Sequence, residues 1–147
     1  MDKMRPQVDP KTTPANVDEV HVDRLREAGL RPTKQRLILM NAMFGNGDRH
    51  FTAEELFREV GGAGASMVLA TVYNTLNVLA DHGVLRRVSV DGQRSWFDTN
   101  IKPHHHFYVD DDQQLIDIDS TKLKVVGMPE LPEGRALEQV DVIIRIR

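Results

Sequence analysis

The rhythm of apolar residues changes once along the first two thirds of this chain, and that change limits the folds open to it. Up to Gly83 the apolar positions recur at helical spacing, and from Val84 to Asp98 they alternate as in a strand. Val17, Val20, Leu25 and Ala28 suit a first helix stopped by Gly29. Thr33 is placed to cap a second, with Leu37, Met40 and Phe44 on its inner stripe and "GNGD" breaking it. Thr52 and Glu55 stand at capping-box spacing before a third, whose apolar face is Ala53, Leu56, Phe57 and Val60. Val72, Leu76, Leu79 and Ala80 share one face of a fourth, from about Ala70 to His82. "VLRRVSVDGQRSWFD" then alternates about Asp91-Gly92, a strong hairpin signal. Short helices followed by a two-stranded wing are the order of a winged helix-turn-helix.

In that arrangement the fourth helix is the recognition helix. Its face away from the core presents Thr71, Asn74, Asn77 and Asp81, with Tyr73 at the flank. Asn pairs bidentately with adenine in the major groove, while Thr and Tyr reach phosphate or a thymine methyl. Arg86, Arg87 and Arg94 around the wing, and Lys34 at a helix start, are candidate phosphate contacts. The competing reading is a small helical bundle with a solvated polar face.

Charge divides the chain in the same way. Residues 1–23 carry a net −2, residues 24–102 a net +3 and residues 103–147 a net −4. The basic block tolerates a polyanion better than the acidic one does. Residues 1–17, rich in Pro, Thr, Asp and Lys, read as a flexible arm, residues 18–101 as the winged domain, and residues 102–147 as a second small domain. With 0 cysteines, disulfides, thiolate metal sites and cysteine nucleophiles are excluded. No apolar run reaches the roughly 20 residues of a membrane span, and the first residues lack a secretory core, so a cytoplasmic protein is expected.

After Pro103 come three consecutive histidines, "HHHFYV", then "DDDQ" and "QLIDI". The two β-prone runs suit a hairpin with a four-residue loop. Pairing Val109 with Gln114 sets His106 opposite Asp117 and His104 opposite Asp119. Alternation places His104 and His106 on one face and His105 on the other. Two imidazoles and a carboxylate then converge at a spacing that fits one cation. Asp98 and His50 are further candidates. Nitrogen and oxygen ligands without sulfur suit Fe(II), Mn(II) or Zn(II). The competing reading is an exposed strand decorated with histidines. A short helix over 120–126 and a final strand in "VDVIIRI" would complete a small α/β unit, and the apolar edge of that strand invites a second copy of the chain.

"GLRPTKQRLIL", "HFTAEELF", "LATVYNTL" and "HHHFYVDDDQQLIDI" together resemble the ferric uptake regulator superfamily of bacterial metal-dependent repressors. "YNTL", "HHHFY" and "MPELPEG" in a cysteine-free chain resemble its iron response regulator subgroup. The resemblance implies an α+β protein in which a winged helix-turn-helix DNA-binding domain precedes a small α/β dimerisation domain. It implies DNA contacts at Tyr73 and Lys34, and a regulatory metal site at His50, Asp98, His104, His106 and Asp117. Many relatives hold a structural zinc with paired cysteines; the first pair would fall on Val109 and Asp112, so that site is ruled out here. The subgroup associates the triple histidine, here His104, His105 and His106, with haem, which without cysteine would rely on histidine as axial ligand.

The expected function is a homodimeric, sequence-specific transcriptional regulator of iron and haem homeostasis that binds a double-stranded operator and responds to haem or a divalent metal. The alternatives are a manganese-, zinc- or peroxide-responsive repressor of the same superfamily, or a haem buffer with a disused winged domain. A metalloenzyme is disfavoured because the chain offers no convincing nucleophile or separate substrate-binding motif beside the His/Asp cluster.

Overall fold

The structure is a computed structural model; it describes residues 15–92 and 94–147, leaving aside the side chains of residues 15–17. Helix α1 (Ala15–Glu27) is followed by α2 (Lys34–Phe44), strand β1 (His50–Thr52), α3 (Ala53–Gly62) and α4 (Leu69–Asp81). Strands β2 (Arg86–Ser89), β3 (Ser95–Asp98), β4 (His105–Val109), β5 (Gln114–Ile118) and β6 (Ile143–Ile146) complete it. The expected arm over residues 1–17 lies largely outside the described residues, and α1 already begins at Ala15.

The helix boundaries follow local chemistry. Thr33 Oγ1 accepts the Arg36 N–H at 3.3 Å, and Thr52 with Glu55 forms a reciprocal capping box. At the other ends, α1 and α4 stop at Gly29 and Gly83, both with φ near +80° (79° and 76°), a conformation open to glycine. The Leu30 N–H returns to Leu25 and the Gly29 N–H to Arg26; Val84 and Gly83 repeat the pattern on Leu79 and Ala80. These paired bonds satisfy carbonyls that a helix end leaves open, and they bury Leu30 and Val84.

Leu25, Leu39, Met40, Met43, Leu56, Val72, Leu76 and Leu79 form the helical core, with Phe51 and Phe97 packed into it from the wing sheet. Each such side chain contributes roughly 1.5–3 kcal/mol by leaving water. On α2 the inner stripe is Leu39, Met40 and Met43, so Leu37 and Phe44 lie at its margins.

The wing sheet has the order β1-β3-β2, all antiparallel, and its third strand β1 is too short to be read from the sequence. The second sheet has the order β5-β4-β6. Its β4–β5 hairpin takes the expected register, with Val109 opposite Gln114 and His106 opposite Asp117. The ladder stops at His105, paired with Ile118, so the expected pairing of His104 with Asp119 is not made. Strand β6 lies parallel to β4, with His106 opposite Ile143.

The short helix expected over 120–126 is absent; the connection from β5 to β6 is irregular. Asp119 accounts for this. Its carboxylate accepts both the N–H and the hydroxyl of Thr121, and its carbonyl accepts the Lys122 N–H. A closed local turn of this kind competes with helix nucleation, and Val125, Val126 and Gly127 offer little to propagate one.

The two sheets meet in a second apolar cluster, where Val88, Val90 and Trp96 of the wing pack on Tyr108 and Leu115 of the hairpin. Arg145 reinforces the contact by donating to the Val90 carbonyl and to Asp110, with its guanidinium 5.4 Å from the Tyr108 ring centre.

Candidate metal centre and nucleic-acid face

Four side chains from four segments converge where the sheets meet. Asp98 ends β3, His104 lies in the linker, His106 is on β4 and Asp117 on β5, and one ligand atom from each lies within 4.8 Å of all the others. The wing ladder places Asp98 directly opposite both His50 and Arg86. The hairpin ladder places His106 opposite Asp117. His106 and Asp98 are almost fully buried (0% and 1% exposed), whereas Asp117 opens to solvent. Strand alternation separates the triple histidine as expected. His104 and His106 face Asp98 while His105 turns away.

Oxygen and nitrogen lone pairs crowd this centre. The Asp98 Oδ2 lies 2.7 Å from His104 Nε2 and 3.2 Å from His106 Nε2. The Asp117 Oδ1 lies 3.1 Å from His106 Nε2, 3.5 Å from His104 Nε2 and 3.6 Å from His50 Nε2. His104 Nδ1 is 2.5 Å from the Lys102 carbonyl, so both of its ring nitrogens face oxygen acceptors. A neutral imidazole has one N–H. Only a second proton, or a cation among the Nε2 and carboxylate atoms, relieves the resulting lone-pair contact. The Lys102 carbonyl orients the ring by its far nitrogen, which is the usual second support of a metal-ligating histidine. Burial would raise the Asp98 pKa, but hydrogen bonds from His106, the Asn100 N–H and His104 outweigh it and hold the carboxyl below its ordinary range. The donor set is nitrogen and hard oxygen, which fits a divalent first-row cation. His50 stands beside the group, its ring centre 5.8 Å from that of His106.

His105 has a different environment. Its Nδ1 accepts the Val142 N–H at 3.0 Å, so the neutral ring carries its proton on Nε2. Burial, and then the nearby Arg86 charge, lower its pKa.

The helix-turn-helix candidates lie on α2, on α4 and around the wing strands. Lys34 opens α2 and is exposed, and Asn74 is exposed on α4, between half-buried Thr71 and Asn77. The Tyr73 hydroxyl donates to Glu54 at 2.6 Å; that hydrogen bond lowers the Glu54 pKa and raises that of Tyr73. Arg87 reaches Asn77 Oδ1 at 3.0 Å and Asp81 at 3.3 Å, and Arg94 reaches Gln113 in the β4–β5 loop at 3.2 Å. Arg86 corrects an expectation. It is buried, ion-paired to Asp141 at 2.7 Å and bonded to the Lys102 and Val140 carbonyls, so it is withdrawn from any phosphate. Period-2 alternation would have found this, because Arg86 shares its strand face with buried Val88 and Val90. No sequence signal pointed to Glu54 or to the Lys102 carbonyl.

His21 and His82 take no part in the centre. His21 is buried in α1 with both ring nitrogens unpartnered, and burial, followed by Arg24, lowers its pKa. His82 Nδ1 lies 3.0 Å from the Ala28 carbonyl, tying the end of α4 to the end of α1.

Comparison with known proteins places this geometry in context. Residues 27–144 match the ferric uptake regulator family. A ferric uptake regulation protein of Campylobacter upsaliensis is 37% identical over 83 residues, or 55% of this chain and 53% of that protein. The chain thus spans about half the length of that relative. A peroxide-responsive repressor of Staphylococcus aureus is 27% identical over 108 residues, covering 74% of this chain and 72% of its own. Among solved structures, the ferric uptake regulator of Pseudomonas aeruginosa with manganese superposes with a TM-score of 0.68 at 24% identity, over 87% of this chain and 97% of that one. The fold is therefore the winged helix with a small second domain seen in those regulators. Among the described residues, no helix is long and apolar enough to cross a membrane.

Proposed function

The chain belongs to the ferric uptake regulator family, and on that premise we propose that it is a dimeric, DNA-binding transcriptional regulator that responds to a divalent metal. The observation that carries this reading is the four-residue group in which Asp98 of the wing sheet meets His104, His106 and Asp117 of the following unit. A cation bound there supplies charge neutralisation and fixed ligand directions. The residues do the rest. Asp98 anchors the wing side, and its neighbouring strand carries His50 toward Asp117. His104 and His106 anchor the β4 side, and Lys102 orients His104. Closing these ligands on one centre fixes the wing against the second sheet, and with it the angle of α4. Regulation then comes from the difference in metal affinity between the closed and open arrangements.

In this reading residues 18–101 read the operator and residues 102–147 form the dimer and the effector site. Lys34, Thr71, Tyr73, Asn74, Asn77, Arg87 and Arg94 face DNA. Exposed Ile144 and Ile146 on edge strand β6 support a second copy of the chain as the partner of the sheet.

The finer reading is an iron response regulator that controls iron and haem genes and is released by haem. Its support is the triple histidine in a cysteine-free chain. The geometry favours the divalent-metal signal over haem. His104 and His106 are buried against Asp98, and the His105 nitrogen left over from Val142 carries a proton rather than a free lone pair. The deciding experiment is operator binding by metal-stripped protein, repeated with Mn(II) and with haem at fixed salt. A requirement for Mn(II) supports the metal reading. Binding that survives stripping and is abolished by haem overturns it in favour of the haem-released regulator.

A further inference from the structure

The β4–β5 hairpin has two ends, and the metal centre uses one of them. His106 and Asp117 face each other toward its open end. Residues 110–113 close the other end, where Gln113 meets the wing. Between the two, Tyr108 and Leu115 pack on Val88, Val90 and Trp96. At the closed end, Gln113 is the one non-glycine residue with a positive φ among the described residues, at 51°. That left-handed conformation suits glycine and strains any longer side chain. A strained position that keeps a long amide points to something the amide holds.

What it holds is Arg94, directly before β3. Gln113 Oε1 accepts the Arg94 Nη1–H at 3.2 Å, from the second sheet to the wing. The Arg94 backbone N–H is fixed separately by Asp91 Oδ1 at 3.0 Å. The chemistry of the side-chain partner matters. A carboxylate orients a guanidinium and cancels its charge together, whereas a neutral amide oxygen orients it and leaves the charge whole. Arg86 and Arg87 are bonded to the carboxylates of Asp141 and Asp81, at 2.7 and 3.3 Å. Exposed Arg94 is bonded instead to an amide that uses a single one of its N–H donors. Its charge also reaches the recognition helix. The Glu54 carboxyl is held low first by its hydrogen bond from Tyr73 and then, among smaller causes, by Arg94.

We propose that Gln113 is a positioning residue for DNA: with the hairpin closed on the wing, it holds Arg94 oriented and fully charged for a backbone phosphate. The inference rests on the regulator reading and adds a second path from the effector hairpin to DNA, beside the angle of α4. Ordering a flexible side chain in advance removes part of the ordering cost of binding. Asp111 and Asp112, exposed in the same loop, are the like charges a phosphate meets there, and they temper the gain.

The test measures binding of the full-length, Mn(II)-loaded protein to a duplex that the wild type selects from a random pool, across a salt series. Arg94→Gln is expected to flatten the slope of log affinity against log salt by about 0.9 for each chain bound, the value of one phosphate contact. Gln113→Gly removes the amide and relieves the strain. It is expected to raise the melting temperature, weaken DNA binding roughly three- to tenfold and leave the salt slope unchanged. Gln113→Glu keeps a bond to Arg94 but neutralises it, and is expected to flatten the slope as Arg94→Gln does. On the Arg94→Gln background, Gln113→Gly is expected to cost nothing further, a result that a merely structural role for the loop would not produce. Additive losses in that double variant, or wild-type binding by both Gln113 variants, overturn the proposal. Tighter binding by Gln113→Gly overturns it in favour of a loop that shields Arg94. A wild type that selects no duplex with Mn(II) fells the regulator reading and this one with it; a selected duplex indifferent to Gln113 fells this one alone.

Discussion

Replacing His106 with alanine separates the hairpin-register argument from mere proximity of histidines. His106 is fully buried, and its Nε2 lies 3.2 Å from Asp98 and 3.1 Å from Asp117, so it bridges the carboxylates of both sheets. Losing a residue that merely supports a ligand typically costs 10–100-fold in metal affinity. Losing a ligand among four should exceed that, so Mn(II) affinity is expected to fall by at least about 100-fold, or roughly 2.7 kcal/mol. His21→Ala and His82→Ala remove imidazoles that touch neither carboxylate of the centre, and both are expected to leave affinity within about threefold, or roughly 0.7 kcal/mol. Isothermal titration of stripped protein with Mn(II) reads all three. A buried cavity of this size also costs roughly 2–5 kcal/mol of folding stability, so thermal melts should accompany each titration, and affinities count only well below the melting point. Equal Mn(II) affinity in the three variants would refute the register and the site built on it.

Other expectations follow from the described contacts. His21, whose pKa burial lowers from the ordinary 6.5, accepts a proton more readily unfolded than folded. Its stability contribution is therefore complete above pH 6.5 and declines as pH falls through the depressed folded value. His21→Leu should flatten that acid limb in urea titrations, and an unchanged pH profile would count against it. Tyr73→Phe removes a half-exposed hydrogen bond to Glu54 and should cost about 0.5–1.5 kcal/mol of stability. If Tyr73 faces DNA, its operator affinity should fall more than that of a stability-matched core variant. Thr52→Ala opens the capping box of α3 and should cost about 1 kcal/mol by chemical denaturation, with Mn(II) binding retained.

Much of the site was legible because its register follows from two local rules. Period-2 alternation separated His105 from His104 and His106, and a four-residue loop paired Val109 with Gln114, which brought Asp117 to His106. Asp98 is legible as a strand end, but its position opposite His50 depends on β1, three residues long and without a pattern of its own. Arg86 reads as a surface cation by residue type alone, although its alternation with Val88 and Val90 places it inside. The helix expected over 120–126 failed for a different reason. The Asp119 side chain closes a local turn that decides the backbone path before any apolar face can form. The helical core was the easiest to read, since Thr33 and Thr52 cap the starts of α2 and α3 and Gly29 and Gly83 stop α1 and α4.

The back-to-back placement of His105 and His106 has a consequence for how variation at these positions combines. Residues in contact are ordinarily the ones whose substitutions interact, while sites more than 7–10 Å apart sum to within about 0.3–0.5 kcal/mol. Here covalent neighbours project to opposite faces of one strand, His106 to Asp98 and His105 to the Val142 N–H. A double-mutant cycle at 105 and 106 should close near zero, as though the two lay far apart in the molecule. A lineage could then revise one face with little effect on the other, with no intervening sequence to insulate them.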